Sequence, residues 1–292
     1  MNTVQTLRAY GQLVRIPALF TAWSNIIAAH LILTGGDIRY QELLLLVAAS
    51  SAFYCAGMVL NDCFDIEEDR RYRPGRPLPA GTIELRKAWL TGWILLACGL
   101  LPAAAVGTTQ LGIAVALALC ITLYNALLKH SWSGSLIMAA CRYLNWLMPL
   151  SVAGLTLQTL LLPLPVFLYI AALTYLSSVE TTAHSRRPLL LCAGGMLLAA
   201  VTIIALHLSG ILPHGQALWL LGIALVGVLL QLRATHRRFT PETIQQTMKV
   251  LILGIIPLDA ILVFAGGPWW GGLVILALLV PGRYLARILY VT

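Results

Sequence analysis

The sequence predicts an all-α, polytopic integral membrane protein: one helical bundle of nine to ten transmembrane helices, occupying residues 1–292 as a single domain. Three observations predict it. The chain is 59% hydrophobic and only 10% charged, where soluble domains carry about 25% charged residues. Its mean hydropathy is +0.85. The apolar residues gather into runs long enough to cross a bilayer, separated by short polar turns.

The first runs are Pro17–Thr34, Glu42–Leu60, Ala88–Val106, Gln110–Leu128 and Gly134–Gly154. Pro163–Val179, Pro188–Leu208, Gln216–Leu232, Lys249–Gly266 and Trp269–Leu289 follow. Arg283 and Arg287 interrupt the last, so it reads as a short or tilted helix whose arginines reach the interface. Basic residues mark every second boundary: Arg8 and Arg15, the Arg70–Lys87 loop, Lys129, Arg186 and Arg187, Arg233 to Lys249, and the C-terminal pair. Only Arg39 lies in the intervening loops. Positive loops face the cytoplasm, which places the N-terminus inside, in a membrane of the bacterial inner-membrane kind.

The net charge of +8 therefore follows from topology and headgroup attraction. No basic stretch stands free of the bilayer, which excludes a nucleic-acid role. The six cysteines have no paired metal spacing and suggest no disulfide framework. The first apolar run continues past the length of a signal-peptide core.

Chemistry concentrates in Asn61-Asp62-Cys63-Phe64-Asp65-Ile66-Glu67-Glu68-Asp69, closed by Arg76-Pro77-Leu78-Pro79-Ala80-Gly81. Five of the eleven acidic residues fall within these nine positions, directly after the second run. At roughly 100° per residue, Asp62, Asp65 and Asp69 lie within about 60° of one another on a helix. Asn61 sits beside them, while Glu67 and Glu68 point elsewhere. Oxygen ligands one and two turns apart suit Mg²⁺, which takes carboxylates together with substrate phosphate oxygens. A solvated acidic loop explains neither the spacing nor the Arg-Pro close.

Polar groups inside spans are costly and invite a function. Arg142 and Asp259 read as a buried pair or as a substrate contact. Asn25 and Asn145 read as interhelical hydrogen-bond formers, and His30 is a further polar group in the first span. Tyr124 and Lys129 close the fourth run on the side of the acidic motif, as interface anchors or as phosphate contacts. Arg70, Arg71, Arg73 and Arg76 allow the same two readings. Glu180 and His184 are expected on one helical face at i and i+4, but zinc needs a further ligand that the sequence does not supply. A faint repeat joins Asp69…Arg76-Pro77 to Glu180…Arg187-Pro188.

With these motifs in view, the chain resembles the UbiA superfamily of intramembrane prenyltransferases over nearly its whole length. The resemblance implies a helical bundle, usually of nine spans, with a lateral opening for lipids. It also implies Mg²⁺ at two acidic motifs, holding an isoprenyl diphosphate whose chain passes to an aromatic or lipid acceptor. Asn61, Asp62, Asp65 and Asp69 match the first motif, with Arg73, Arg76, Tyr124 and Lys129 near the diphosphate. Arg142, Asn145 and Glu180 complete the expected substrate contacts. Glu180, with His184, stands where the family has two or three aspartates. That departure supports an alternative, a lipid or prenyl-diphosphate carrier of the same fold. Arg142-x-x-Asn145 and the ending Pro281-Gly282-Arg283-Tyr284-Leu285-Ala286-Arg287…Tyr290-Val291-Thr292 resemble a divergent, EboC-like branch. Tyr143, Trp146 and Tyr175 are the expected aromatic faces for an allylic cation. A phosphotransferase acting on nucleotide-linked alcohols would need an Asp-Gly before the cluster, which is missing.

Overall fold

The computed structural model describes residues 3–129, 131–181 and 183–289, with the backbone alone for 3–5. Thr182 and the final Tyr290-Val291-Thr292 of the expected motifs lie outside the described residues. Ten helical segments among the described residues are long and apolar enough to cross a membrane, beginning at Ile16–Thr34 and ending at Trp269–Leu289. All ten expected runs correspond to one of these segments, because a run of membrane length satisfies its backbone polar groups only as a helix.

A short helix α1 (Thr3–Leu13) leads into the first span α2 (Ile16–Thr34). The second span α3 (Tyr40–Phe64) is followed at once by α4 (Ile66–Tyr72). The third and fourth spans are α5 (Leu85–Val106) and α6 (Thr108–Leu123), the latter extended by a π-helical turn, Tyr124–Leu128. The fifth span is α7 (Trp132–Leu150). The sixth begins earlier than the expected Pro163: α8 (Leu157–Leu161) precedes α9 (Leu164–Ser177). Thr156 caps α8 by accepting the Thr159 N–H at 3.3 Å, and Pro163 falls where its missing N–H costs nothing. The seventh and eighth are α10 (Arg187–Leu208) and α11 (Ala217–Arg237).

The ninth and tenth spans are each broken. α12 (Pro241–Leu253) meets α13 (Ile255–Gly266) at Gly254, three residues before Pro257, which cannot donate to the preceding turn. α14 (Trp269–Ala277) meets α15 (Leu279–Leu289) around Leu278.

Small residues let helices approach closely where packing drives association. α3 lies against α5 because a Cβ at Gly92 would fall 2.7 Å from Leu60, and one at Gly99 would fall 2.9 Å from the Phe53 ring. The largest core cluster gathers around Trp146, Leu176, Leu189, Leu251 and Ile256. A second core, around Phe53, Leu117 and Met148, joins α3, α6 and α7.

Candidate functional site

The acidic motif spans a helix junction rather than one continuous helix. α3 ends at Phe64, and Asp65 (φ −86°, ψ 5°) joins it to α4. The turn-to-turn hydrogen bonds persist across the join: Asp65 N–H donates to Asn61 O at 3.0 Å, and Asp69 N–H to Asp65 O at 2.8 Å. The three aspartates therefore keep one face. All are buried, at 4%, 7% and 0% exposure for Asp62, Asp65 and Asp69. Glu67 and Glu68 are exposed, as their angular positions predicted, and Glu67 pairs with Arg70 at 2.6 Å.

Each buried carboxylate meets a cation, as burial of charge requires. Arg76 Nη1 lies 2.7 Å from Asp69 Oδ2 and 3.5 Å from Asp62 Oδ1. Arg73 lies 3.4 Å from Asp69. Lys129 pairs with Asp65 and donates to Asn61 Oδ1 at 2.9 Å. Asn61 Nδ2 reaches Asp62 and Asp65, each at 3.2 Å. Arg76 is delivered by the loop after α4, which is pinned by Leu78 and Ile83 in a small core with Leu13, Val59 and Cys63. Arg70 and Arg71 are exposed, so of the four loop arginines two join the cluster.

A fourth cation escaped sequence reasoning. Arg15 Nη2 donates to Asp62 Oδ1 at 3.0 Å. It stands between α1 and α2 with a left-handed backbone, φ 50° and ψ 51°. It was legible only as a topology marker, because 47 residues separate it from its partner.

Tyr124 and Lys129 are five residues apart, a spacing that an α-helix would turn to different faces. The π-helical turn pairs i with i+5 and so brings them onto one side. Its exit is tight: a Cβ at Gly134 would fall 2.1 Å from Leu128 O. Ser131 caps α7 there, accepting the Gly134 N–H at 3.2 Å.

From Asn61 a cavity of about 90 Å³ runs into the apolar interior between α3, α6 and α7. Tyr124, Arg142, Asn145, Phe53 and Tyr54 are among its walls. The aromatic lining is thus not the expected one. Trp146 is fully buried and gives its indole N–H to Asp259 at 3.1 Å. The Tyr143 hydroxyl donates to Leu160 O at 2.8 Å. Neither these two nor Tyr175 lines the cavity. Alternate faces of α7 explain it: Arg142 and Asn145 face the cavity, which turns Tyr143 and Trp146 away.

Arg142 and Asp259 do not pair directly. Arg142 donates to Thr21 Oγ1 at 2.9 Å and to Asn25 Oδ1 at 3.3 Å, and its guanidinium lies 6.0 Å from the Tyr54 ring centre. Asp259 accepts from Ser24 at 2.5 Å, Asn25 at 2.7 Å and Trp146. Asn25 therefore stands between the two charges, accepting from one and donating to the other. Asn145 also ties helices together, donating to Ala22 O at 3.1 Å.

The Glu180–His184 expectation is overturned. α9 ends at Ser177, residues 178–181 form turns, and Ala183 takes φ 45°, so no helical face joins the carboxylate to the imidazole. The segment is too polar to continue the apolar span. Glu180 forms no ion pair among the described residues, so the apparent repeat of Asp69…Arg76 has no second ion pair.

Among the described residues no three Asp, Glu, His or Cys side chains converge as a ready-made metal cage. The donors still suit Mg²⁺: they are buried carboxylates on one face, joined through Asn61 and Arg76, and this ion takes one or two carboxylates and completes its shell with phosphate and water. The expected grip by three aspartates reduces to a site that a diphosphate would complete.

Comparison with known proteins fits this geometry. The family described as the UbiA prenyltransferase family matches residues 19–255. A digeranylgeranylglyceryl phosphate synthase from Methanocaldococcus jannaschii is 41% identical over 98 residues, 33% of this chain and 34% of that one. One from Sulfurisphaera tokodaii is 22% identical over 272 residues, 88% of this chain and 98% of that protein. A solved digeranylgeranylglyceryl phosphate synthase superposes with a TM-score of 0.68 at 26% identity, over 89% of this chain and 98% of that one. A UbiA homologue from Archaeoglobus fulgidus, bound to GPP and Mg²⁺, superposes at 0.66 and 16% identity, over 87% and 99% of the two chains. With a match across most of its spans and the fold to go with it, this chain belongs to the UbiA prenyltransferase family.

Proposed function

We propose that the protein transfers an isoprenyl group from a prenyl diphosphate to a lipophilic acceptor within the membrane, with its acidic face toward the cytoplasm. One observation carries the reading: three buried aspartates and four cations cluster around Asn61, which also lines an aromatic-walled cavity running into the apolar interior. Arg15, Arg73, Arg76 and Lys129 provide donors for phosphate oxygens, the arginines as bidentate forks. Mg²⁺ held by Asp62, Asp65 or Asp69 would neutralise a diphosphate leaving group. As the C–O bond of the donor lengthens, negative charge grows on the bridging oxygen, and the fixed cations of this cluster stabilise it. Phe53, Tyr54 and Tyr124 offer electron-rich faces to the allylic cation, and the apolar walls keep water from capturing it.

The names of the relatives describe a glyceryl phosphate bearing isoprenyl chains, which favours a lipid acceptor of that kind. The test is a radiolabelled prenyl-diphosphate assay with Asp65→Ala. Transfer is expected to vanish while the protein still inserts and folds; undiminished activity overturns the assignment. Binding of donor without turnover in the intact protein, across glyceryl phosphate and aromatic acceptors, would instead favour the carrier reading that Glu180's isolation suggests.

A further inference from the structure

The cavity that opens from Asn61 has a second polar end, deeper in the bundle. Its lining on α3 is one helical stripe, Ser50, Tyr54, Gly57 and Asn61, spaced by three and four residues. Tyr54 lies about 10 Å from Asn61 at the helical rise, and Ser50 about 6 Å further. Ser50 is 1% exposed, and its hydroxyl has no hydrogen-bond partner. Hydroxyls on helices commonly satisfy themselves on the carbonyl one turn back. Ser51 does so on Val47 O at 2.6 Å, and Thr122 on Ala118 O at 2.9 Å. Ser50 does not, although an unpaired buried hydroxyl costs stability.

Arg142 belongs to the same end. Its two bonds, to Thr21 and Asn25, fall about 8 and 14 Å along α2 from Ile16. It makes no ion pair with Asp62, Asp65 or Asp69 among the described residues. A guanidinium has five N–H donors, and neutral oxygens take one from each terminal nitrogen here. Asp259 holds it only through Asn25. The remaining donors belong to a side chain that keeps accessible surface and lines the cavity. A diphosphate held at Asn61 among Arg15, Arg73, Arg76 and Lys129 does not extend this far, and the hydrocarbon of an isoprenyl chain gives a guanidinium nothing to bind.

We propose that this deep end is the acceptor subsite and that the acceptor is anionic. Its phosphate or carboxylate lies on Arg142, and a second oxygen accepts from the Ser50 hydroxyl. The subsite rests on the transfer reaction proposed above and supplies the half of it that the aspartate cluster leaves open. Charge selects the acceptor at Arg142, and Ser50 favours one that is polar at its inner end, since only a polar group satisfies that hydroxyl.

The test is equilibrium binding of labelled acceptors to the intact protein, with Mg²⁺ and a non-cleavable donor analogue present, alongside transfer kinetics. Three acceptors separate the sources of charge: a monoisoprenyl glyceryl phosphate, the same glyceryl ether without its phosphate, and a hydroxybenzoate. One of the two anions is expected to bind about tenfold more tightly than the neutral ether, and the tighter one names the source. Arg142→Gln should raise KM for that acceptor by about ten- to a hundredfold and leave KM for the donor level. Arg142 also ties α7 to α2, so Ser50→Ala is the second variant should the first fail to fold. It should weaken acceptor binding about three- to tenfold yet leave the melting temperature of the unliganded protein the same or higher, because it removes an unpaired group. A purely structural role for Ser50 would lower the melting temperature instead. Equal affinity for the neutral ether overturns the anionic assignment. A rise in donor KM that matches the rise in acceptor KM overturns the role of Arg142, and unchanged acceptor binding by Ser50→Ala overturns the second contact. Failure of the intact protein to transfer to any acceptor refutes the transfer reading itself, and the binding measurements then decide the subsite separately.

Discussion

Lys129 is the residue on which the candidate site turns, since it touches both Asn61 and Asp65. Replacing it with methionine keeps much of the volume and removes the charge. Charge-assisted hydrogen bonds contribute about 1.5–3 kcal/mol each, so Lys129→Met should weaken donor binding by about ten- to a hundredfold, read as KM for the prenyl diphosphate. Asp259 tests the other polar cluster. Asp259→Leu leaves the donors on Asn25 and Trp146 unpaired, at a cost of about 1–3 kcal/mol for such a group. A lowered unfolding midpoint in detergent, milder for Asp259→Asn, is the expected outcome. These partners divide by legibility. The aspartates and Lys129 announced themselves by spacing and by side of the membrane. Arg15, Tyr54 and the bridging Asn25 did not, because only tertiary packing brings together residues so distant in sequence.

Among the elements, the π-helical turn Tyr124–Leu128 does what no α-helical register could, aligning residues five apart. Its geometry depends on Gly134, which leaves room for the Leu128 carbonyl. Gly134→Ala is expected to displace Lys129, and a shift of about 1 Å in a positioning group costs about a hundredfold in rate. Gly112→Ala is the control, since a Cβ there meets no atom within 4 Å. Transfer by the first should fall steeply in the radiolabel assay and by the second stay level. The spans themselves were readable from apolar length alone, down to the interrupted last one. The π-turn was not, for its extra residue is accommodated by neighbours rather than by local preference. The Glu180–His184 segment misled for the opposite reason: i, i+4 spacing has meaning only where a helix continues, and this one had already ended.

At the scale of the molecule, the alternation of charge fixes which loops share a face. A cysteine introduced at Gly75 and one at Asp37 should react with an impermeant thiol reagent from opposite sides, Gly75 from the cytoplasm. Labelling of both from one side would refute the topology. The ends of the chain bear on the count of crossings. Gln12 Nε2 donates to Leu289 O at 2.7 Å, and Gly11 would place a Cβ 3.3 Å from Leu289. Gln12 and Leu289, which flank the first and last spans, therefore lie on one face, as an even number of crossings provides. The sequence left nine and ten open because Arg283 and Arg287 dilute the final run; both prove exposed.

That clasp ties together parts of the chain that no motif connects. α15 grips α1, and α1 leads directly to Arg15, whose guanidinium is set on Asp62. The two extremities thus form a girdle buckled next to the carboxylates. Trimming the tail, or hanging a bulky fusion from it, loosens the strap and slackens a charged contact more than two hundred residues away.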